Sequence, residues 1–406
     1  MSNEPIHRWY ETVMGFSPAV VRTALSEFEC DSSGFLLDPF CGAGTTLIES
    51  SLNGVASIGI DANPFSAFCS RTKTEWNVDP DQLVHAFQNI TEVQLEKRSS
   101  SSDNQSKYTP HTVRNGWISP HIWNKATQVY TRIGQLRDQQ QKQLLQLAVI
   151  SAVKETCANV AFGPEIYKRK RKNRTGVVQA TKRKVNQIAE DVRTIRNLGL
   201  STLRAKVFHA DSRRLDFLQR DGYAGKIKWV ITSPPYPTEH DYSRIGRIEL
   251  ELGGFIQSKE DLRAIKQLQI RSNSKTVYSD DQDYLCVKDV QHIQRIVKKI
   301  ERISKEKSYS FAHRYPLVVG NYFGGLFIHL QALAELMPKG GKCLYVLGDQ
   351  RSYFGVLIPT TDIFIKLACD KLGAFRLIKR TTIRIRRGTS GNTPKIKEEA
   401  TLLERI

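Results

Sequence analysis

The chain has 406 residues, 40% hydrophobic and 25% charged, the proportions of a soluble globular protein. At this length a catalytic core with large insertions or a second domain is expected. The net charge of +19 disfavours an enzyme of small metabolites and favours a polyanionic partner, nucleic acid first, the alternative being a highly charged solvated surface.

The start, MSNEPIHRWYETVMGF, lacks a basic segment followed by an apolar run, so no signal peptide is expected. No stretch approaches the roughly 18 apolar residues of a membrane span. The seven cysteines, Cys30, Cys41, Cys69, Cys157, Cys286, Cys343 and Cys369, are scattered without a C-x-x-C pair. That excludes a disulfide framework or zinc module from the reading and leaves an intracellular, cytoplasmic protein as the expectation.

In chain order, GFLLDPFCGAGTTLIES (34–50) reads as strand, tight glycine loop and helix, and ASIGID (56–61) as a second strand. KRSSSSDNQSK (97–107) is a polar, serine-rich linker. Residues 117–160 read as mostly helical, with Leu144, Leu145, Leu147, Ala148 and Ile150 spaced to bury one face. A basic run, KRKRKNRTG (168–176), precedes a helix over 185–198. Strands resume at 205–211 and 228–236. A polar stretch over 257–313 contains a helix at 298–307. A helix at 327–341, a strand at 342–349, a helix at 361–372 and strands at 375–385 and 400–406 close the chain. The pattern predicts an α/β, doubly wound, mostly parallel sheet with helical insertions.

Four motifs fall at carboxyl ends of predicted strands, where such folds bind ligands. In DPFCGAGTT, Gly42 and Gly44 permit a tight turn and close backbone approach to a ligand. Thr45-Thr46-Leu47 breaks the dinucleotide fingerprint, and no G-K-[ST] makes a P-loop. An adenosyl ligand without a long phosphate chain fits. Asp61 is placed to accept ribose hydroxyls, or to cap the helix after Asn63-Pro64. Asp211 is placed to accept the adenine amino group, or to cap the next helix. In TSPPY, Pro234 and Pro235 remove backbone donors and leave carbonyls facing a ligand. Ser233 adds an acceptor and Tyr236 a face on which a base stacks. A plain proline turn is the structural alternative.

DPFCGAGTT followed by TSPPY resembles the amino-group DNA methyltransferases, which modify N4 of cytosine or N6 of adenine. IHRWYETVMGFSPAVVRTAL (6–25) is similar to the segment preceding that family's glycine loop, and EHDYSRIGRIELELGGF (239–255) resembles the helix after its catalytic loop. The resemblance covers about 6–75, 203–255 and 320–406. It implies a class I, Rossmann-like fold that uses S-adenosyl-L-methionine and no metal. The implied cofactor residues are Phe16, Ser17, Asp38, Pro39, Phe40, Gly42, Gly44, Thr45, Asp61 and Asp211, with Asp38 near the methionine amino group. Ser233, Pro234, Pro235 and Tyr236 would be the catalytic set, holding the amino group of a base flipped from duplex DNA. The serine form is typical of N4-cytosine enzymes, so site-specific N4-cytosine methylation is expected. N6-adenine methylation, RNA amino methylation and non-catalytic nucleic-acid binding stay open. C5 methylation is disfavoured because the chain has no Pro-Cys nucleophile.

By this reading 1–75 is the cofactor part of the core and 76–202 a mostly helical insertion and candidate DNA-binding region. Residues 203–255 carry the catalytic motif, 256–319 form a candidate target-recognition insertion, and 320–406 complete the core. Lys168, Arg169, Lys170, Arg171, Lys172 and Arg174 are candidate phosphate contacts, and RIRR (384–387) is a second basic tract. The chain contains no recognisable nuclease motif, so a cognate restriction endonuclease would be a separate partner. Oligomeric state is open.

Overall fold

The computed structural model describes residues 4–12, 15–92, 109–162, 166–169, 175–200, 203–308, 311–386 and 395–406. The strands are β1 (Phe35–Asp38), β2 (Ser57–Asp61), β3 (Val160–Phe162), β4 (Ile166–Lys168), β5 (Lys206–His209), β6 (Ile227–Thr232), β7 (Lys342–Gly348), β8 (Phe375–Arg386) and β9 (Ile396–Arg405). Among the described residues, seven of them form one sheet in the order β5-β2-β1-β6-β7-β9-β8. The neighbours from β5 to β7 pair in parallel, and β9 runs antiparallel to both β7 and β8. Unbroken apolar runs such as FLLD and SIGID are what strands covered on both faces require. Winding reverses between β1 and β6, so the crevice of this sheet opens at their carboxyl ends.

Helix Pro18–Glu27 covers one face, packing Val21, Ala24 and Leu25 on Leu36, Trp229 and Ile231. Helix Tyr315–Leu336 covers the other through Val319, Tyr322, Phe323, Leu326 and Leu330. It begins 12 residues before the helix expected at 327 and ends before Gly340. The stretch Ala312–Leu336 reaches the length and hydropathy of a membrane span, against the expectation from sequence, but 78% of its most apolar window is buried inside the protein. Its glycines explain the close packing: a Cβ on Gly324 would lie 2.0 Å from the Asp283 carbonyl oxygen.

Helices Pro80–Glu92, Pro120–Ile133, Gln139–Ala152 and Val177–Asn197 form a second apolar body. Gln139–Ala152 buries Leu144, Leu145, Leu147, Ala148 and Ile150 as their spacing predicts, and buries Val149 and Ala152 as well. Ile248, Leu250, Leu252 and Ile265 join the same cluster, so the chain just beyond TSPPY packs on the helical body. The ribbon β3–β4 falls in or beside the stretch expected to be helical. The predicted linker 97–107 lies outside the described residues. The N-terminal segment ties the two bodies together, with His7 Nε2 2.8 Å from Glu49 of the helix Thr45–Leu52 that follows β1. Buried Asp191 accepts from the Ile6 N–H at 3.0 Å, the Trp9 indole at 2.9 Å and the Arg8 guanidinium. The Tyr10 hydroxyl donates to Glu249 at 2.6 Å, and the Lys154 ammonium pairs with Glu249 at 2.8 Å.

Candidate active site

β1 ends at Asp38, whose Oδ1 accepts the Thr232 hydroxyl at 2.6 Å and the Phe40 N–H at 3.1 Å. Burial pushes its pKa up to about 6, against the lowering effect of its hydrogen bonds. The bond joins the carboxyl ends of β1 and β6, one residue before Ser233. Beyond Asp38 the chain turns through Gly42 (φ +52°) and Gly44 (φ +85°). A Cβ on Gly44 would lie 3.1 Å from the Cα of Ser70, so the turn requires glycine there. The Ser70 hydroxyl donates to the Gly42 carbonyl at 2.8 Å. Asp61, at the end of β2, accepts the Gly42 N–H at 2.9 Å and the Asn63 N–H at 2.7 Å. Burial raises its pKa to about 6. Asp61 therefore organises the glycine loop and the following turn while facing the crevice.

The SPPY loop is tied to the neighbouring strands. The hydroxyls of Ser233 and Tyr236 lie 3.3 and 3.4 Å from the Val346 carbonyl of β7. The Tyr236 hydroxyl also lies 3.2 Å from Glu398 Oε1 in β9. Burial and the Glu398 charge raise the phenol pKa, so it stays a neutral donor. The Tyr236 ring rests on Gly348, where a Cβ would lie 2.9 Å from its Cε2. Arg384 of β8 donates Nε at 3.0 Å and Nη2 at 2.9 Å to Glu398 Oε2. Further along, Glu239 sits at φ +61°, and its carboxylate accepts the Ser274 N–H at 2.7 Å and hydroxyl at 2.8 Å. The Asn273 amide donates to the His240 carbonyl at 3.0 Å, and Lys266 to Asp241 at 3.0 Å. Part of the 256–319 insertion thus fixes the chain that follows SPPY.

These parts face one cleft of about 2790 Å³, well beyond a single small-ligand pocket of roughly 300–1,000 Å³. Phe16, Ser17, Phe40, Gly42, Thr45, Asp61, Ser233, Pro234, Pro235 and Tyr236 all line it. Lys154 and Lys184, with Phe162 of β3 and Arg169 just after β4, line it as well. Behind the floor, buried His329 donates Nδ1–H to the Ser212 carbonyl at 2.8 Å and accepts the Tyr345 hydroxyl at Nε2 at 2.7 Å. That pairing needs the neutral ring, and burial lowers its pKa to about 4.

Four expected cofactor residues do not line the cleft. Asp38, expected near the cofactor's amino group, is enclosed beneath the floor, where its carboxylate bolts β1 to β6 through Thr232. Pro39 and Gly44 are buried beside it. Asp211 is likewise claimed, by Arg213 Nε at 2.9 Å and Nη2 at 2.7 Å, and Arg213 continues to Asp283 at 2.5 Å. Its neighbour Ser212 reaches the cleft instead. Of the basic run, Arg169 lines the cleft and Lys168 is exposed on β4. Lys170, Arg171, Lys172 and Arg174 lie outside the described residues. Sequence reasoning missed Thr232, Glu398 and the placement of Arg384. Thr232 carried a usable signal, the strand-end position next to Ser233. Glu398 meets Tyr236 across 162 residues of chain and carried none.

The sheet order and the strand-end cleft define a class I methyltransferase fold. The chain matches no family model. It is 25% identical over 435 residues to the Type II methyltransferase M.BsoBI of Geobacillus stearothermophilus, covering 96% of this chain and 82% of that protein. It is 22% identical over 395 residues to the Type II methyltransferase M.AvaI of Nostoc sp. and of Anabaena variabilis, covering 91% and 79%. Solved structures it resembles include TrmN from Thermus thermophilus, at TM-score 0.31 and 10% identity over 96% of this chain and 49% of that one. Another is the rRNA methyltransferase aviRa from Streptomyces viridochromogenes, at TM-score 0.32 and 12% identity over 96% and 86%. The resemblance drawn from DPFCGAGTT and TSPPY is thus accompanied by similarity to Type II methyltransferases along nearly the whole chain.

Proposed function

We propose that this chain is an S-adenosyl-L-methionine-dependent, site-specific DNA methyltransferase acting on the exocyclic amino group of a flipped base, N4 of cytosine first. The observation that carries the reading is the meeting of the glycine loop and SPPY on one cleft, their strands bolted together by Asp38 and Thr232. The Type II relatives support DNA as substrate, and Ser233 in place of an aspartate supports cytosine N4.

The residues present fit the cofactor: an open turn at Gly42, a helix N-terminus at Thr45, the Asp61 carboxylate, and Phe16 and Ser17 facing the same cleft. When bound, the cofactor supplies an electrophilic methyl carbon on a sulfonium. Asp61 would accept its ribose hydroxyls. The base amino group would donate to Ser233 Oγ and the Pro234 carbonyl. Ser233 directs its own proton to Val346, which leaves its lone pairs for that amino group. Two acceptors orient the nitrogen lone pair and support the charge that grows there. Tyr236, with hydroxyl and ring both held, would stack on the base.

The test is transfer from labelled cofactor to duplex DNA and to RNA, with product nucleosides separated by mass and a Ser233→Ala, Tyr236→Ala double variant as control. N4-methylcytosine from DNA, lost in the variant, is the expected result. N6-methyladenine would overturn the cytosine assignment, and label in RNA alone the choice of DNA. No label in either, with no cofactor binding by calorimetry, would make the chain a non-catalytic binding protein.

A further inference from the structure

Ile383 is an aliphatic residue at the mouth of the cleft that the reaction, as derived above, does not use. Strand β8 pairs Thr382 with Glu399 and then Arg384 with Glu398, so Ile383 is the extra residue of a β-bulge. A bulge re-aims its side chain out of the ordinary alternation, and bulges concentrate beside active sites. Here it places Ile383 on the cleft wall while leaving the residue 41% exposed. Scattered exposed aliphatic residues are ordinary on a protein surface. This one differs in its surroundings.

The last pair of β7 with β9 is Gly348 with Glu398. Past it β8 and β9 run on as a ribbon, pairing Ile385 with Lys397 and Arg386 with Ile396. With Asp349, just past β7, still donating its N–H to the Lys397 carbonyl at 2.9 Å, the described β8–β9 ribbon reaches slightly beyond the carboxyl end of β7, on the side where the cleft opens. It carries exposed Ile385, Lys395 and Lys397. Lysines near exposed aliphatic side chains match a duplex, whose phosphates lie outside and whose stacked bases lie within. Arg384, next to Ile383, bonds to Glu398, and Glu398 accepts the Tyr236 hydroxyl. The bulge and the stacking ring are thus positioned by one chain of three side chains.

Resting on the DNA-methyltransferase reading above, we propose that Ile383 is the wedge that enters the duplex and occupies the space left by the extruded base. Extrusion leaves a gap in the stack, and an apolar side chain filling it disfavours return of the base. Tyr236 would hold the base outside while Ile383 closes the stack behind it.

The test uses the full chain and its recognition site, found by sequencing modified DNA from cells that make it. Ile383→Ala should lower transfer to matched duplex by about tenfold, since an ordinary pair must be unstacked, and a mismatch at the target position should restore the rate to within about twofold of wild type. Ile383→Leu should stay near wild type on both substrates. 2-Aminopurine at the target position should report less unstacking with Ile383→Ala on matched DNA. Cofactor affinity should be unchanged throughout. Equal loss on matched and mismatched DNA would show a packing role and overturn the proposal, as would no loss on either. A wild-type chain that methylates no DNA would overturn the parent reading and this inference with it.

Discussion

Gly348→Ala isolates the role of the Tyr236 ring. Gly348 lies in a strand, outside the left-handed region of φ, so alanine brings no backbone strain. The new Cβ would lie 2.9 Å from Tyr236 Cε2, short of the ~3.5–4.0 Å of a normal carbon contact. Gly348 is held by its ladder pairing with Glu398 of β9, so the end of the tyrosine side chain gives way before the backbone does. A ring displaced by about half an ångström or more would lose much of a base stack worth roughly 1–3 kcal/mol. That corresponds to about a 5- to 150-fold fall in kcat/KM for DNA. Cofactor affinity should hold, because Gly348 is absent from the cleft lining. The assay is steady-state transfer to DNA beside calorimetric cofactor binding, for wild type, Gly348→Ala and Tyr236→Phe. Tyr236→Phe keeps the ring and loses the bond to Glu398, so its loss should be the smaller. Wild-type kcat/KM in Gly348→Ala, or a parallel fall in cofactor affinity, would refute the reasoning.

Thr232→Val removes the hydroxyl that Asp38 accepts at 2.6 Å. It should destabilise the chain by about 1–3 kcal/mol in urea unfolding and weaken cofactor binding as the two strand ends separate. Lys154→Met leaves the Glu249 carboxylate buried without its ammonium partner; it should cost about 3–5 kcal/mol, partly recovered by adding Glu249→Leu, as thermal or urea unfolding will show. His329 is neutral in the fold with a pKa near 4, whereas an unfolded histidine takes its proton near 6.5. The unfolded state therefore binds the extra proton between these values. Stability from this group is full above pH ~6.5, falls as pH drops toward ~4 by about 3 kcal/mol, and then levels. Asp38 and Asp61, raised to about 6, act with the opposite sign in an overlapping window. The check is thus the difference between wild type and His329→Gln in urea unfolding at pH 7.5, 5.5 and 4.5, with the two converging as pH falls.

The sheet was legible because its signals are local. FLLD, SIGID and KWVIT are apolar runs of strand length, and each ends at a turn signal in the next few residues. The helix boundaries were less so. Tyr315–Leu336 has apolar residues all round, hence no amphipathic edge to mark where it begins. Val177–Asn197 starts near the basic run because Lys182, Arg183 and Lys184 are good helix formers. Strand β9 starts at Ile396, four residues before the apolar run that predicted it, because pairing with β8 carries the polar segment into the ribbon.

Asp38, Asp61 and Asp211 looked alike in sequence, each an acid at a strand end, and the fold gives them three different fates. What separates them is the nearest donor. Asp38 meets Thr232 across the β1–β6 pair and is sealed beneath the floor. Asp211 meets Arg213, whose guanidinium also reaches Asp283 from the second insertion. Asp61 meets only backbone N–H groups of the loops that it shapes, which leaves it on the cleft wall. Strand-end position thus selects candidates, and neighbouring donors decide which acid remains available to a ligand. The same logic assigns Glu398, which no local pattern marks: a partly buried carboxylate shared by Tyr236 and Arg384 links the last strand to the SPPY loop. Removing its charge with Glu398→Gln should weaken the hold on Arg384 and on the Tyr236 hydroxyl together. If Tyr236 stacking depends on that hold, Glu398→Gln and Tyr236→Phe will lower kcat/KM for DNA non-additively; additive losses would mean that the two side chains act separately.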